Sequence, residues 1–204
     1  MKLYYSPGAC SLSPHIALLE AGLPYELVKV DLRVKKLENG DDFLAVNPKG
    51  QVPALALDSG ELVTEGPVIV QMIADKAAGK NLAPARDTAE RYKLLEWLNY
   101  VTTELHKNLG PMFSPVLTDD AKAFFKDRAM GKFKYLETQL AGRDYLMGKQ
   151  FSVADGYLFT MLSWAERMKF DLAAMPNLLA YKARVGARPM VQAALTKEGL
   201  MKAA

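Results

Sequence analysis

A single cysteine, Cys10, lies where an apolar stretch, Lys2-Leu3-Tyr4-Tyr5, gives way through Ser6-Pro7-Gly8-Ala9 to a helical pattern. At a helix start the unpaired backbone N–H groups and the positive end of the helix dipole favour an anion. A thiol at such a point is drawn toward thiolate, the form that attacks disulfides and electrophiles. A lone cysteine elsewhere is more often a small buried hydrophobe, but a strand-to-helix turn is a poor place to hide one. In Cys10-Ser11-Leu12-Ser13 a serine replaces the second cysteine of a redox pair. A dithiol can expel a bound partner by attack of its second sulfur, whereas a monothiol is suited to holding or exchanging an external thiol.

Three further groups carry chemistry. If the Val52–Pro53 bond is cis, as its place between a turn and a strand favours, Val52 offers its N–H and C=O to a peptide-like ligand in the manner of an added strand. In Thr64-Glu65-Gly66-Pro67 a strand end runs into a helix start. The N–H groups around Gly66 suit a carboxylate and Glu65 suits an ammonium, the two charges of a free α-amino acid head; helix capping alone accounts for the same residues. Asn99, Thr103 and His106 recur at i, i+4 and i+7, a polar stripe about 110–140° round the helix from its leucines. That stripe either lines a cleft or simply faces solvent.

These residues need elements to hold them. Lys2 to Tyr5 reads as a strand, followed by a helix from about Ser13 with Pro14 at its first position and Gly22 past its end. Tyr25 to Asp31 is a second strand, and a short helix is expected around Phe43-Leu44 after a loop. Ala54 to Leu57 and Glu61 to Thr64 form a hairpin across Asp58-Ser59-Gly60, and Gly66 to Ala78 is a helix. The order β-α-β-α-β-β-α, with its last two strands antiparallel, fits a small four-stranded mixed sheet of the thioredoxin arrangement over residues 1–80. Residues 81–87 read as a linker. Residues 88–204 read as an all-helical domain. Its helices are expected at Thr88 to Asn108, with Leu94, Leu98, Val101 and Leu105 on the core face, at Asp119 to Leu140, Val153 to Lys169 and Leu178 to Val185, and from Pro189 to Leu195.

Composition narrows the classes. Of 204 residues, half are hydrophobic and 24% charged, as in an ordinary globular protein, and no apolar run is long enough for a membrane span. The 26 basic and 23 acidic residues give a net charge of +3, too even for a nucleic-acid binder. One cysteine excludes an intrachain disulfide framework and, with no signal peptide in evidence, fits a reducing cytoplasm. The two histidines, His15 and His106, lack metal-ligand spacing, so no metal is expected. Neither a Gly-x-Ser-x-Gly elbow nor a P-loop is present.

Taken in order, Met1-Lys2-Leu3-Tyr4-Tyr5 with Gly8-Ala9-Cys10-Ser11-Leu12-Ser13-Pro14-His15, then Asn47-Pro48, Val52-Pro53, Glu65, Glu104-Leu105-His106 and Ser152-Val153-Ala154-Asp155, resemble the glutathione transferases. The N-terminal run is similar to their bacterial beta class. The resemblance implies the glutathione transferase fold, with glutathione as co-substrate, and a cytoplasmic homodimer acting in detoxification. It implies that Val52, beside Pro53, pairs with the cysteinyl backbone of glutathione, that Glu65 and Gly66 hold its γ-glutamyl head, and that Lys35 meets a ligand carboxylate. Asn99 and the turn Thr103, Glu104, Leu105, His106 would close the pocket, with Tyr5, Ser11, Lys107 and Trp164 nearby. Cys10 would form a mixed disulfide with glutathione, or lie beside its sulfur in conjugation with His106 as a partner. Met112, Phe113, Trp164 and Met168 are candidates to line an apolar cleft between the domains for a hydrophobic electrophile.

Two departures from the family pattern stand out. Gly66 replaces the usual serine, implying glutathione binding weaker by about 1 kcal/mol. Gly156, after the Ser152–Asp155 capping box, cannot pack back on Phe151 as a bulkier residue would. Two other readings stay open: a glutathione-dependent thiol–disulfide oxidoreductase or reductive dehalogenase using the same thiol, and a non-catalytic protein that binds hydrophobic compounds.

Overall fold

The computed structural model describes residues 1–201 of the chain. They form two compact units: Met1–Ala83 together with the described residues from Arg188 onward, and Pro84–Ala187. No helix among the described residues is long and apolar enough to cross a membrane.

The first unit is built on a mixed sheet of β1 (Lys2–Tyr5), β2 (Glu26–Asp31), β3 (Lys36–Leu37), β4 (Ala54–Ala56) and β5 (Leu62–Thr64), in the order β3-β2-β1-β4-β5. Strand β1 runs parallel to β2, with Leu3 opposite Leu27, and antiparallel to β4, with Leu3 opposite Leu55. The expected four strands are therefore joined by a fifth. β3 is a two-residue edge strand that pairs with Asp31 and Val30 and turns back through Gly40 at φ 90°. Two residues are too few to show an alternating pattern, which is why a loop was expected there.

Helix α1 (Leu12–Ala21) is buried on nearly every face, because it packs on α3 (Gly66–Lys76) as well as on α9 (Pro189–Lys197). It begins at Leu12, one residue ahead of the expected start, so Pro14 is its third residue rather than its first. That is tolerated because first-turn N–H groups have no partner within the helix. Gly22 ends it in the left-handed conformation at φ 67°. A short helix, α2 (Phe43–Val46), places Phe43 in a cluster with Val30, Val52 and Ala54.

Helix α9 corrects the expected domain boundary, which put all of residues 88–204 in one helical domain. The physical reason is a set of polar ties to the first unit. Arg188 grips Glu20 with two parallel N–H···O contacts of 2.7 and 2.9 Å. The fully buried His15 and Glu198 side chains meet at 2.8 Å, and the second Glu198 oxygen accepts the Gly8 N–H at 2.8 Å.

The second unit comprises α4 (Ala89–Tyr100), α5 (Lys107–Leu109), α6 (Asp119–Gln139), α7 (Val153–Arg167) and α8 (Pro176–Gly186). Thr88 and Thr118 cap α4 and α6 by accepting the N–H groups of Arg91 and Ala121. The continuous helix expected from Thr88 to Asn108 is interrupted. Residues Val101–His106 form a π-helical segment and Gly110–Phe113 a 3-10 turn. The leucine stripe survives the interruption: Leu94, Val101 and Leu105 are fully buried and Leu98 nearly so.

Helix α7 is the centre of this unit, and its start is fixed by a fully buried carboxylate. Asp155 accepts the Ser152 N–H at 2.7 Å, the Ser152 hydroxyl at 2.8 Å, the Leu146 N–H at 2.8 Å and the Tyr181 hydroxyl at 2.8 Å. Burial pushes its pKa up while these donors pull it down. The missing staple at Gly156 is offset by another contact, since Phe151 stacks edge-on against Tyr145 at 5.8 Å and is only 5% exposed. Asp155→Ala would leave the Leu146 and Ser152 N–H groups buried without an acceptor and the Tyr181 hydroxyl with only the residue-155 carbonyl at 3.4 Å. The expected result is a loss of about 3–5 kcal/mol of stability, measured by urea unfolding.

Candidate functional site

The candidate residues fall into two groups, one in each unit. In the first unit Cys10 sits in the turn between β1 and α1, ahead of the helix cap at Ser11. Its thiol donates to the Val52 carbonyl at 3.1 Å, and the Val52–Pro53 bond is cis. The expected juxtaposition of thiol and cis-proline loop is therefore present. The contact uses the thiol's proton, so the carbonyl favours the neutral thiol while the helix start favours thiolate. The Val52 carbonyl retains its second lone pair for a ligand.

Ser11 is completely buried, and its hydroxyl is bound to the Ser6 main chain, accepting the N–H at 3.2 Å and donating to the carbonyl at 3.3 Å. It shapes the turn that carries Cys10. Tyr5 is also buried, with its ring centroid 6.4 Å from that of His15, and burial raises its phenol pKa. Lys35, at φ 55°, donates from Nζ to the Gly50 carbonyl at 2.8 Å and keeps two further N–H groups for a carboxylate.

Glu65 holds a left-handed backbone at φ 69° just before α3, a conformation that costs a non-glycine residue roughly 1–3 kcal/mol and that clusters at functional sites. Its exposed carboxylate meets Lys49 Nζ at 2.6 Å, and the same ammonium donates to Thr64 Oγ1 at 2.9 Å. Lys49 was not foreseen; its signal was its place in the turn Asn47-Pro48-Lys49-Gly50. An arriving ammonium group would compete with it for Glu65. Beside them, a Cβ built on Gly66 would lie 3.7 Å from Pro53, an ordinary contact.

In the second unit the π-helical segment gathers Thr103, Glu104, Leu105 and His106. Its wider turn changes the angular spacing that a regular helix would give Asn99, Thr103 and His106. Asn99 and Thr103 are both exposed, and the Thr103 hydroxyl donates to the Asn99 carbonyl at 3.1 Å. Glu104 pairs with Lys132 at 2.6 Å, which lowers its pKa. The Leu105 side chain is fully buried in the core, so only its main chain could face a ligand. Lys107 is exposed on the next turn.

His106 is held by aromatic side chains. Its Nδ1 lies 2.6 Å from the Tyr157 hydroxyl, and the Trp164 ring stands edge-on at 5.0 Å. Phe113 meets the same indole at 4.9 Å, with Arg167 above its ring at 5.8 Å. Two of the expected apolar candidates, Phe113 and Trp164, are thus in contact. Met112 lies half-buried in the adjacent 3-10 turn, and Met168 half-buried at the end of α7. Tyr157 is a second residue that sequence reasoning missed. Within the apolar run of α7, nothing distinguishes it from a core tyrosine.

Comparison with known proteins decides the family. Residues 8–76 match the family described as "Glutathione S-transferase, N-terminal domain", and residues 103–198 match "Glutathione S-transferase, C-terminal domain". The chain belongs to the glutathione S-transferase family. It is 47% identical over 200 residues to the glutathione S-transferase GstA of Escherichia coli O157:H7, covering 98% of this chain and 100% of that one. A sphingomonad glutathione S-transferase solved with glutathione superposes with a TM-score of 0.95 at 51% identity, covering 98% of this chain and 100% of the other. The beta-class glutathione S-transferase of Sphingomonas chungbukensis gives 0.96 at 49% identity with the same coverage. The family resemblance read from Cys10, Val52-Pro53 and Ser152–Asp155 is thereby confirmed. Among the described residues no cluster of three or more His, Cys, Asp or Glu side chains could hold a metal ion.

Burial, with a smaller contribution from the Lys107 charge, lowers the His106 pKa from 6.5 to about 4. Between those values the unfolded chain binds a proton that the folded chain refuses. Stability is therefore lost as pH falls from about 7 to about 4, by up to about 3 kcal/mol from this residue. Urea midpoints at pH 7 and 4.5 are expected to differ less in His106→Asn than in the unaltered protein.

Proposed function

We propose that this transferase binds glutathione on its first unit and adds the glutathione thiolate to hydrophobic electrophiles. In the reaction the sulfur bonds to an electrophilic carbon, and a leaving group such as chloride departs with the electron pair of its bond. The observation that carries the reading is the Cys10 thiol lying 3.1 Å from the Val52 carbonyl at the cis-proline loop. In this arrangement Val52 pairs with the cysteinyl main chain, while Glu65 and Gly66 take the γ-glutamyl head and Lys35 a carboxylate. Within the second unit, Asn99, Thr103 and His106 are candidate glutathione-binding residues, and Phe113 and Trp164 candidates for the apolar substrate. The functional form is a homodimer, which sedimentation at micromolar concentration tests.

Cys10 also supports a redox reaction. Its thiolate attacks one sulfur of glutathione disulfide, a protein–glutathione disulfide forms, and one glutathione thiolate leaves. Intact mass after incubation with glutathione disulfide should rise by one glutathione and fall back with a reductant. Cys10→Ser should abolish that gain and leave measurable conjugation of a chlorinated aromatic substrate. Conjugation falling to background would make Cys10 indispensable and favour the oxidoreductase reading. A protein that binds glutathione and apolar dyes with neither activity would be a binding protein.

Gly66 allows the reverse experiment. The space beside Pro53 accepts a Cβ without a clash, and no unusual backbone conformation stands in the way. Gly66→Ser adds a hydroxyl donor for the γ-glutamyl carboxylate and should tighten glutathione binding about three- to tenfold by calorimetry, the range of one added hydrogen bond.

A further inference from the structure

The His106 ring is fixed from two sides within the second unit. Tyr157, 2% exposed on α7, places its hydroxyl 2.6 Å from Nδ1 with the two rings at 88°. Trp164, two turns further on along the same face of α7, closes the edge of the imidazole at 5.0 Å. Burial keeps this imidazole neutral at neutral pH. A neutral imidazole carries one proton, and the hydrogen bond made by one nitrogen decides which nitrogen holds it. The Tyr157–His106 contact can be made in two ways. In one, the phenol donates to the imidazole nitrogen, pairing the stronger acid with the stronger base. In the other, an imidazole N–H donates to the phenol oxygen, pairing a weaker donor with a weaker acceptor. The first is therefore the stronger pairing.

We propose that Tyr157 is a positioning residue for His106, donating its hydroxyl proton to Nδ1, fixing the Nε2–H tautomer and making His106 a hydrogen-bond donor rather than a base. This rests on the proposed function, in which His106 is a candidate for glutathione: the group it then offers that ligand is an N–H donor at Nε2. Because Nε2 holds the proton, it has no lone pair with which to take one from the thiol. The chemistry is that of a donor aimed at developing negative charge. The role passes through three links: Asp155 sets the start of α7, α7 carries Tyr157, and Tyr157 turns the imidazole.

Long-range proton–nitrogen correlation spectra of the 15N-labelled protein at pH 7 test this directly, with His106→Asn identifying the His106 signals. The expected spectrum has Nδ1 in the unprotonated range and Nε2 in the protonated range. In Tyr157→Phe both resonances should move toward averaged values as the tautomers exchange. The kcat for a chlorinated aromatic substrate should fall about three- to tenfold, with the glutathione KM within about twofold. A proton found on Nδ1 in the unaltered protein overturns the proposal, as do His106 resonances left in place by Tyr157→Phe. If that variant does not fold, the spectrum of the unaltered protein decides alone. The expected tautomer in a protein without conjugating activity would remove the functional reading and leave the role of Tyr157 standing.

Discussion

The second unit depends on one buried carboxylate. Asp155 has no exposed surface, and each of its contacts joins a different stretch of chain: Ser152 at the helix start, Leu146 in the preceding loop, Tyr181 on α8. A buried carboxylate is costly unless its lone pairs are filled, so the three segments are held to one arrangement. Helix α7 inherits its register from that arrangement. Tyr157 and Trp164 inherit their positions from α7, and His106 inherits its orientation from them. A folding element and a chemical one are thus consecutive links of a single chain of constraints.

Much of this was legible before any coordinates. The β-α-β and β-β-α order and the capping box at Ser152–Asp155 each follow from short local patterns whose physics does not depend on the rest of the fold. Three features were hidden, each for its own reason. The π-helical segment Val101–His106 is invisible because its apolar residues still fall three and four apart, as in a regular helix. The membership of α9 in the first unit rests on Glu198 and His15, which stand 183 residues apart and carry no local signature of each other. Tyr157 looks like any tyrosine in an apolar helix, and only its 2.6 Å contact with His106 marks it.

The site residues show a similar division between role and type. Ser11 and Leu105 carry the family resemblance, yet both side chains are fully buried and shape the main chain around them. Lys49 was not among the candidate residues, yet it meets Glu65 at 2.6 Å. Cys10 is placed between two opposed influences, a helix start that favours its anion and a carbonyl acceptor that favours its neutral form. Ligand chemistry at the Val52 main chain can shift that balance, because the same carbonyl is the thiol's acceptor.

The return of α9 to the first unit reaches into how the protein is made. Gly8 lies two residues from Cys10, and its N–H is accepted by Glu198, 190 residues further along the chain. Domains commonly fold in order as they leave the ribosome, the N-terminal one first. Here the contacts of Glu198 with Gly8 and with His15 form only after the whole of the second unit has been synthesised. The loop that presents the reactive thiol is made before the second unit and completed after it.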